Sequence, residues 1–413
     1  MIKFMKRRYT EWPIFLVFAI ILMMAPSLAI SKTQRISHNF VNADSTAVEK
    51  IFAKTKKFCF GRFIIDIPEE SSVIYGSVQL DGELSFFRGK ARDIQFLVSK
   101  QLEEIAKEKD YIPDYQINNF PLLGKKIDGV VPGQKIVFGA KSSIGYSIYS
   151  YIPIGEDLFV HYSPYVPPEH DEIPIINSVA THLRARSERE VPADAGICVE
   201  GGFLSLQPQY ENIQIGLIFK ELPDVRFSID MRKNQKYLPE GSSPRKLRDE
   251  ARASAEDLGL GSLFARIKVL REGTQKFGIW EGEEILTRRP AYKDETDAHE
   301  FRFFGMGSIN DNFHPSVDIR LDTGVAINTK AAVKPSITDE EALALWDRLL
   351  STIRLRQPND ASPSKEVKSR TPLGAISKSG EICPQSGYWE CIEKNASTAL
   401  IVDYSRRADR FHR

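Results

Sequence analysis

Little in this chain is suited to chemistry. It has seven histidines in 413 residues (His38, His161, His170, His182, His299, His314 and His412), and they are scattered. No G-x-S-x-G elbow, H-E-x-x-H pair, phosphate-cradling loop or dinucleotide fingerprint occurs. His299-Glu300 is followed by Phe301-Arg302-Phe303, which leaves no second imidazole one turn on. The S-x-x-K spacings Ser243…Lys246 and Ser362…Lys365 fall at a helix start and in a linker, where they read as chance. No catalytic, cofactor-binding or metal-ligating residue is assigned. Each histidine reads as a surface or turn residue.

Net charge is lacking too. The chain carries 56 basic and 55 acidic residues. Without the first 29 residues, which hold four basic and one acidic, the balance is 52 against 54. Intermixed signs with no net excess give no long-range field for nucleic acid or an anionic lipid surface. There is only one long apolar run, at the amino end. Lys3, Lys6, Arg7 and Arg8 precede the apolar Ile14–Met24, and Ser27-Leu28-Ala29 follows with small residues. That order reads as an export signal over 1–29, or as an N-terminal anchor if it is not cleaved. Any membrane contact is expected through this segment alone.

Cysteines are few but even in number, and an exported chain makes disulfides the default. Cys383 and Cys391 bracket the turn-rich Pro384–Glu390, which could close as a tight hairpin. That would leave Cys59 and Cys198 for each other. Metal binding or free thiols are the alternative, although the spacings are not zinc-like.

A loose internal repeat is present. Cys59-Phe60-Gly61-Arg62-Phe63 opens one half and Cys198-Val199-Glu200-Gly201-Gly202-Phe203 opens the other. In the first half, strands are expected at 63–67, 73–80, 133–139, 145–154 and 158–162. Helices are expected at 91–109 and 171–186. The second half repeats the order, with strands at 202–206, 213–220, 225–232, 266–271, 276–286, 299–305 and 316–321. Its helices begin at Ser242-Ser243-Pro244 and Thr338-Asp339-Glu340-Glu341, each with a hydroxyl cap or acidic first turn. The closing helices end alike, in Leu183-Arg184-Ala185-Arg186 and Ile353-Arg354-Leu355-Arg356. The expected fold is α+β: two similar lobes, each a mainly antiparallel sheet with packed helices, in a claw-like arrangement. A small C-terminal cysteine hairpin follows. The boundaries read as 1–29 signal, 30–57 extension, 58–190 and 197–357 domains, 358–378 linker and 379–413 cysteine module.

Two segments stand out as partner contacts, both read as loops between strands. One supplies Arg288, Arg289, Tyr292, Lys293 and Asp294, and the other Tyr162 and Tyr165. Tyrosine and arginine are favoured at binding hot spots, and loops on a rigid scaffold commonly carry recognition.

The cysteine-led strands resemble the openings of the two domains of immunity proteins cognate to type VI secretion lipase effectors. Gly380-Glu381-Ile382-Cys383 through Cys391 resembles a cysteine module found with some of them, although the ending His412-Arg413 departs from that tail. The resemblance spans about 58–357 plus the tail. It implies a periplasmic protein, not an enzyme and without cofactor, whose two domains form a claw around a phospholipase. Such a claw would block substrate access or lid opening. The cysteines carry over as structural positions. An envelope solute-binding or assembly factor holding a ligand between the lobes is the alternative reading, and a hydrolase with a dispersed site is a third.

Overall fold

The computed structural model describes residues 46–108, 112–234, 243–293, 295–325 and 333–357, with two strands at 387–390 and 399–402. The chain divides into the compact units Met1–Pro358 and Asn359–Arg413. The segment read as an export signal and both tail cysteines lie outside the described residues. Among the described residues, no helix is long and apolar enough to cross a membrane.

The first half opens with α1 (Thr46–Ile51) and two hairpins, β1 (Thr55–Phe60) with β2 (Phe63–Pro68) and β3 (Ser72–Leu80) with β4 (Glu83–Phe87). Helix α2 (Ile94–Glu108), strands β5 (Lys126–Asp128), β6 (Lys135–Ser142), β7 (Gly145–Ile154) and β8 (Asp157–Val166), helix α3 (Ile173–His182) and β9 (Leu183–Ala185) follow. The second half opens with β10 (Ile197–Val199) and β11 (Gly202–Leu204), then β12 (Glu211–Ile218) and β13 (Arg226–Arg232). It continues through α4 (Pro244–Asp257), α5 (Gly261–Phe264), β14 (Lys268–Phe277), β15 (Trp280–Arg289), β16 (Ala298–Gly305), β17 (Ser316–Asp322), α6 (Asp339–Thr352) and β18 (Arg354–Leu355). In the second unit, β19 (Gly387–Glu390) pairs antiparallel with β20 (Ala399–Val402).

The helix starts follow their caps. Ser243 Oγ accepts from the Lys246 amide ahead of Pro244, and Thr338 with Glu341 forms a reciprocal capping box. Such caps satisfy amides that lack a partner in the first turn.

Twelve strands form one sheet in the order β5-β6-β7-β8-β4-β3-β12-β13-β17-β16-β15-β14. Read inward from either end, the two halves present the same succession of elements. They meet where β3 pairs antiparallel with β12, from Leu80↔Glu211 to Ser72↔Ile218. The halves are thus continuous through backbone pairing and do not stand as separate sheets. Hydrophobic patterning could not show this, because an edge strand and a central strand carry the same alternation.

The hairpins are exchanged between halves. Phe58, Phe60, Phe63, Ile65 and Ile67 of β1–β2 are buried among Phe227, Ile319, Trp346 and Leu349 of the second half. Ile197, Val199 and Leu204 of β10–β11 are buried among Leu84, Phe159, Val179 and Leu183 of the first. The segments expected to end the closing helices supply the third strand of each small sheet. Leu183–Ala185 pairs with β11, and Arg354–Leu355 pairs with β2. The helix stops at residue 182 or 352 because the next residues gain a strand partner.

Two further departures are local. The stretch expected as one strand over 276–286 is cut by a tight turn, with Phe277 opposite Trp280 and Gly278 at φ 52°, in the left-handed region. Strand β4 was not anticipated, being only Glu-Leu-Ser-Phe-Phe.

Candidate functional site

The two hairpins meet at their tips. Cys59 and Cys198 occupy equivalent positions beside the turns and are joined by a disulfide with Cα atoms 5.8 Å apart. The Gly61 and Cys198 amides exchange hydrogen bonds with each other's carbonyls at 2.8 Å. The closing arginines complete the junction. The Arg186 amide donates to the Gly201 carbonyl and the Arg356 amide to the Arg62 carbonyl, both at 2.9 Å. The Arg186 guanidinium donates to the carbonyls of Val199, Gly202 and Glu190. That of Arg356 donates to Pro192, Asp194 and Gly196. Buried Arg62 pairs with Glu211 at 3.0 Å. Burial pushes the Glu211 carboxyl up, against the pull of Arg62. This junction is a rigid centre with no exposed reactive group.

The sheet has an inner face, covered by α3, α6 and the hairpins, and an outer face. On the outer face α2 buries Ile94, Val98 and Ile105 against Val137, Tyr151 and Leu158. At the other flank the start of α4 is fixed by Ser243 donating to Glu283, which points opposite to the inward Glu284. Between these helices the outer side of the central strands presents Ser85, Gln214, Ser228, Asp230, Asp318 and Arg320 by alternation. Asp318 accepts from Arg302 and from Arg320, both at 2.8 Å. Those donors outweigh burial and hold its carboxyl below the usual range. Burial instead pushes Glu300 up to about 7 and Asp322 up to about 6. Burial thus holds two carboxylates of this face above the ordinary range while the arginines hold Asp318 below it.

The anticipated contact residues are mostly on strands, not loops. Arg288 and Arg289 end β15 and point to opposite faces. Arg288 turns inward to Asp297 and Asp339, and Arg289 turns outward to Glu295 and Glu300. Their ionic partners lie up to 51 residues away, which made them look like loop residues facing a partner. Tyr292 and Lys293 lie in the following turn with the ammonium 5.1 Å from the ring, and Asp294 lies outside the described residues. Tyr162 belongs to β8, where it stacks on Tyr149 at 4.7 Å, and Lys141 lies over both rings. Pro164 and Tyr165 form a bulge opposite β7, with Tyr165 at φ 57° and 62% exposed. A bulge tolerates proline because no ladder hydrogen bond is lost. Tyr162 and Arg289 share the outer face, but seven strand steps separate β8 from β15. At about 4.8 Å per step the two groups are roughly 33 Å apart along the sheet.

Two histidines are buried, contrary to the surface reading. His299 Nε2 meets Asp339 at 3.0 Å and Nδ1 meets Thr323 Oγ1 at 2.9 Å. Burial pushes this imidazole down, against the pull of Asp339. The line Thr323–His299–Asp339 resembles a catalytic relay in composition. However, His299 is 0% and Thr323 3% exposed, and Lys268 and Arg288 also hold Asp339. It fixes α6 to the sheet. Among the described residues no group of three or more His, Cys, Asp or Glu is placed to hold a metal.

His161 is also 0% exposed, its ring packed beside the Leu80, Asp81 and Gly82 backbone. Burial pushes its imidazole down to about 4. Below the ordinary pKa near 6.5, the unfolded chain takes up a proton that the folded chain refuses. Stability is therefore lost as pH falls from about 6.5 to 4, by about 3 kcal/mol from this group. Denaturant unfolding of the native chain and of His161→Leu at pH 7 and pH 4 checks this. The substitution should remove that share of the acid loss, and identical pH dependence of the two chains would refute it.

Residues 190–358 match the family model described as Tle cognate immunity protein 4 C-terminal domain. None of the curated proteins matches the chain. Among solved structures, the immunity protein TplEi of T6SS from Pseudomonas aeruginosa, complexed with "L" peptide, is 20% identical. The match covers 73% of this chain and 98% of that one, with a TM-score of 0.56. The apo structure of TplEi is 19% identical over 73% and 97% of the two chains, with a TM-score of 0.55. The crystal structure of the Tle4-Tli4 complex is 19% identical over 74% and 98%, with a TM-score of 0.57. At these identities the structures establish a shared α+β fold. Together with the family match over 190–358, they bear out the resemblance first read from the cysteine-led strands, to two-domain immunity proteins cognate to type VI secretion lipase effectors.

Proposed function

We propose that this chain is an exported, periplasmic immunity protein that binds a cognate type VI secretion phospholipase effector and occludes its active-site cleft. The observation that carries the reading is the match of 190–358 to the Tle cognate immunity protein family. The likeness to TplEi and to the Tle4-Tli4 complex supports it. The chain is a binding protein, not an enzyme, and its partner is a Tle effector. The outer strip is the proposed contact face, with the two halves of the sheet acting as the arms of a claw. Tyr162 and Tyr165 lie at one flank, and Arg289, Tyr292 and Lys293 at the other. Two contact groups roughly 33 Å apart suit one large partner, since a standard interface buries about 1,600 Å² in total.

The test is inhibition at known stoichiometry. The effector encoded beside this chain should bind it with nanomolar affinity, and its phospholipase activity should fall to background at one equivalent. No complex, or a complex that hydrolyses phospholipid at the free effector's rate, would end the proposal.

A further inference from the structure

The two halves differ at one place in the sheet. In the second half, β12 and β13 are paired along seven positions, from Asn212↔Arg232 to Ile218↔Arg226. Their counterparts β3 and β4 are paired at a single position, Gln79↔Glu83, beyond the Asp81-Gly82 turn. Beyond it no further ladder pair joins the two strands.

The sequence accounts for the missing pairs. Between Tyr75↔Ile215 and Val78↔Ile213, β3 spends three residues where β12 spends two. The extra residue is a bulge at Gly76-Ser77, and a bulge bends its strand and breaks the local ladder. Gly76 is required there, since a Cβ would lie 2.8 Å from that of Gln214. The bulge also reverses the alternation, so Val73 and Tyr75 pack with the second-half core while Val78 and Leu80 pack with the first. Strand β4 is held by β8 along five positions on its other edge.

The result is a seam through the sheet with a cavity of about 250 Å³, lined by Gly76, Ser77, Ser85, Phe86, Phe159 and Val199 among others. That is several times the ~30 Å³ share of one water. The turn of β10–β11 closes it on the inner side, where Gly201 lies against the Phe86 ring. Ile74 and Phe87 flank it, 53% and 39% exposed.

We propose that this seam is a strand-acceptor site for an extended segment of the cognate effector, which adds between β3 and β4 and places one apolar side chain in the cavity. This rests on the effector-binding reading above and locates its central contact. Both walls are strand edges that lack a ladder partner, and only another extended backbone offers donors and acceptors to both at once. A compact solute would satisfy one wall at most. Val78, Leu84, Phe86, Phe159 and Val199 give the cavity an apolar wall for the inserted side chain, and Ser77, Glu83, Ser85 and Glu200 line the rest.

Hydrogen exchange of the full-length chain, alone and with one equivalent of the cognate effector, tests the proposal. The amides of 73–78 and 84–87 that point away from β12 and β8 should exchange readily in the free chain and at least tenfold more slowly in the complex. Ser85→Trp, which fills the seam from the outer side, should weaken binding at least tenfold. Three results would overturn the seam while leaving effector binding intact. They are a complex without protection at those amides, protection already present in the free chain because its own segment fills the gap, and native affinity in Ser85→Trp. Absence of any complex would overturn both readings together.

Discussion

Replacing Cys59 or Cys198 by serine should lower the stability of the body by about 4–5 kcal/mol in an oxidising buffer. The bond closes a loop of 139 residues. In the chain-entropy treatment a cross-link of that span removes about that much freedom from the unfolded chain. The site adds to the effect, because both cysteines are 0% exposed and pack against Phe203, so a hydroxyl would be buried there. The loss should appear as a lower denaturant midpoint in both single variants, and the native chain with reductant should approach the same value. An unchanged midpoint in either variant would show that the hairpins are held by packing alone. The effect is large beside the 5–15 kcal/mol of a typical domain.

The second large effect is expected at the closing arginines. Arg356→Ala should cost about 3–5 kcal/mol. The guanidinium is 6% exposed and serves the Pro192, Asp194 and Gly196 carbonyls in the segment joining the halves. Its removal leaves buried acceptors without donors, at about 1–3 kcal/mol each before relaxation. Burial and the nearby Arg62 both push the Arg356 guanidinium down, so the charge is tolerated only because these carbonyls receive it. Arg356→Lys should recover little, since a single ammonium cannot span three carbonyls in a fixed fork. Arg186→Ala should behave alike, because Arg186 serves Val199, Gly202 and Glu190 at the equivalent hairpin. Thermal and denaturant unfolding would measure each variant. A loss under about 1 kcal/mol would mean that water replaces the guanidinium at the carbonyls.

What could be read in advance divides by the range of the interaction. Helix starts at Ser243 and Thr338 were legible because a cap and its amide lie within three residues. The strands of each half were legible from alternation, and the repeat from its two cysteine-led openings. The exchange of hairpins was not, because Arg354 meets Ile64 across nearly the whole body and no local pattern encodes that pairing. The contact residues failed as loops for a related reason. Pro164 read as a break, yet a bulge holds it within β8. Arg288 and Arg289 read as loop residues facing a partner, yet their carboxylate partners are at 297, 300 and 339. His161 gave no warning of burial, since its neighbours Val160 and Tyr162 alternate onto the opposite face.

The reciprocal lodging of β1–β2 and β10–β11 bears on how the molecule is assembled as it is synthesised. A chain delivered from its amino end presents first-half strands with an empty socket until Leu204 arrives, while its own leading hairpin waits for Leu355. Neither half can mature ahead of the other. The body is consequently expected to lock in one late, concerted step that brings Cys59 and Cys198 together.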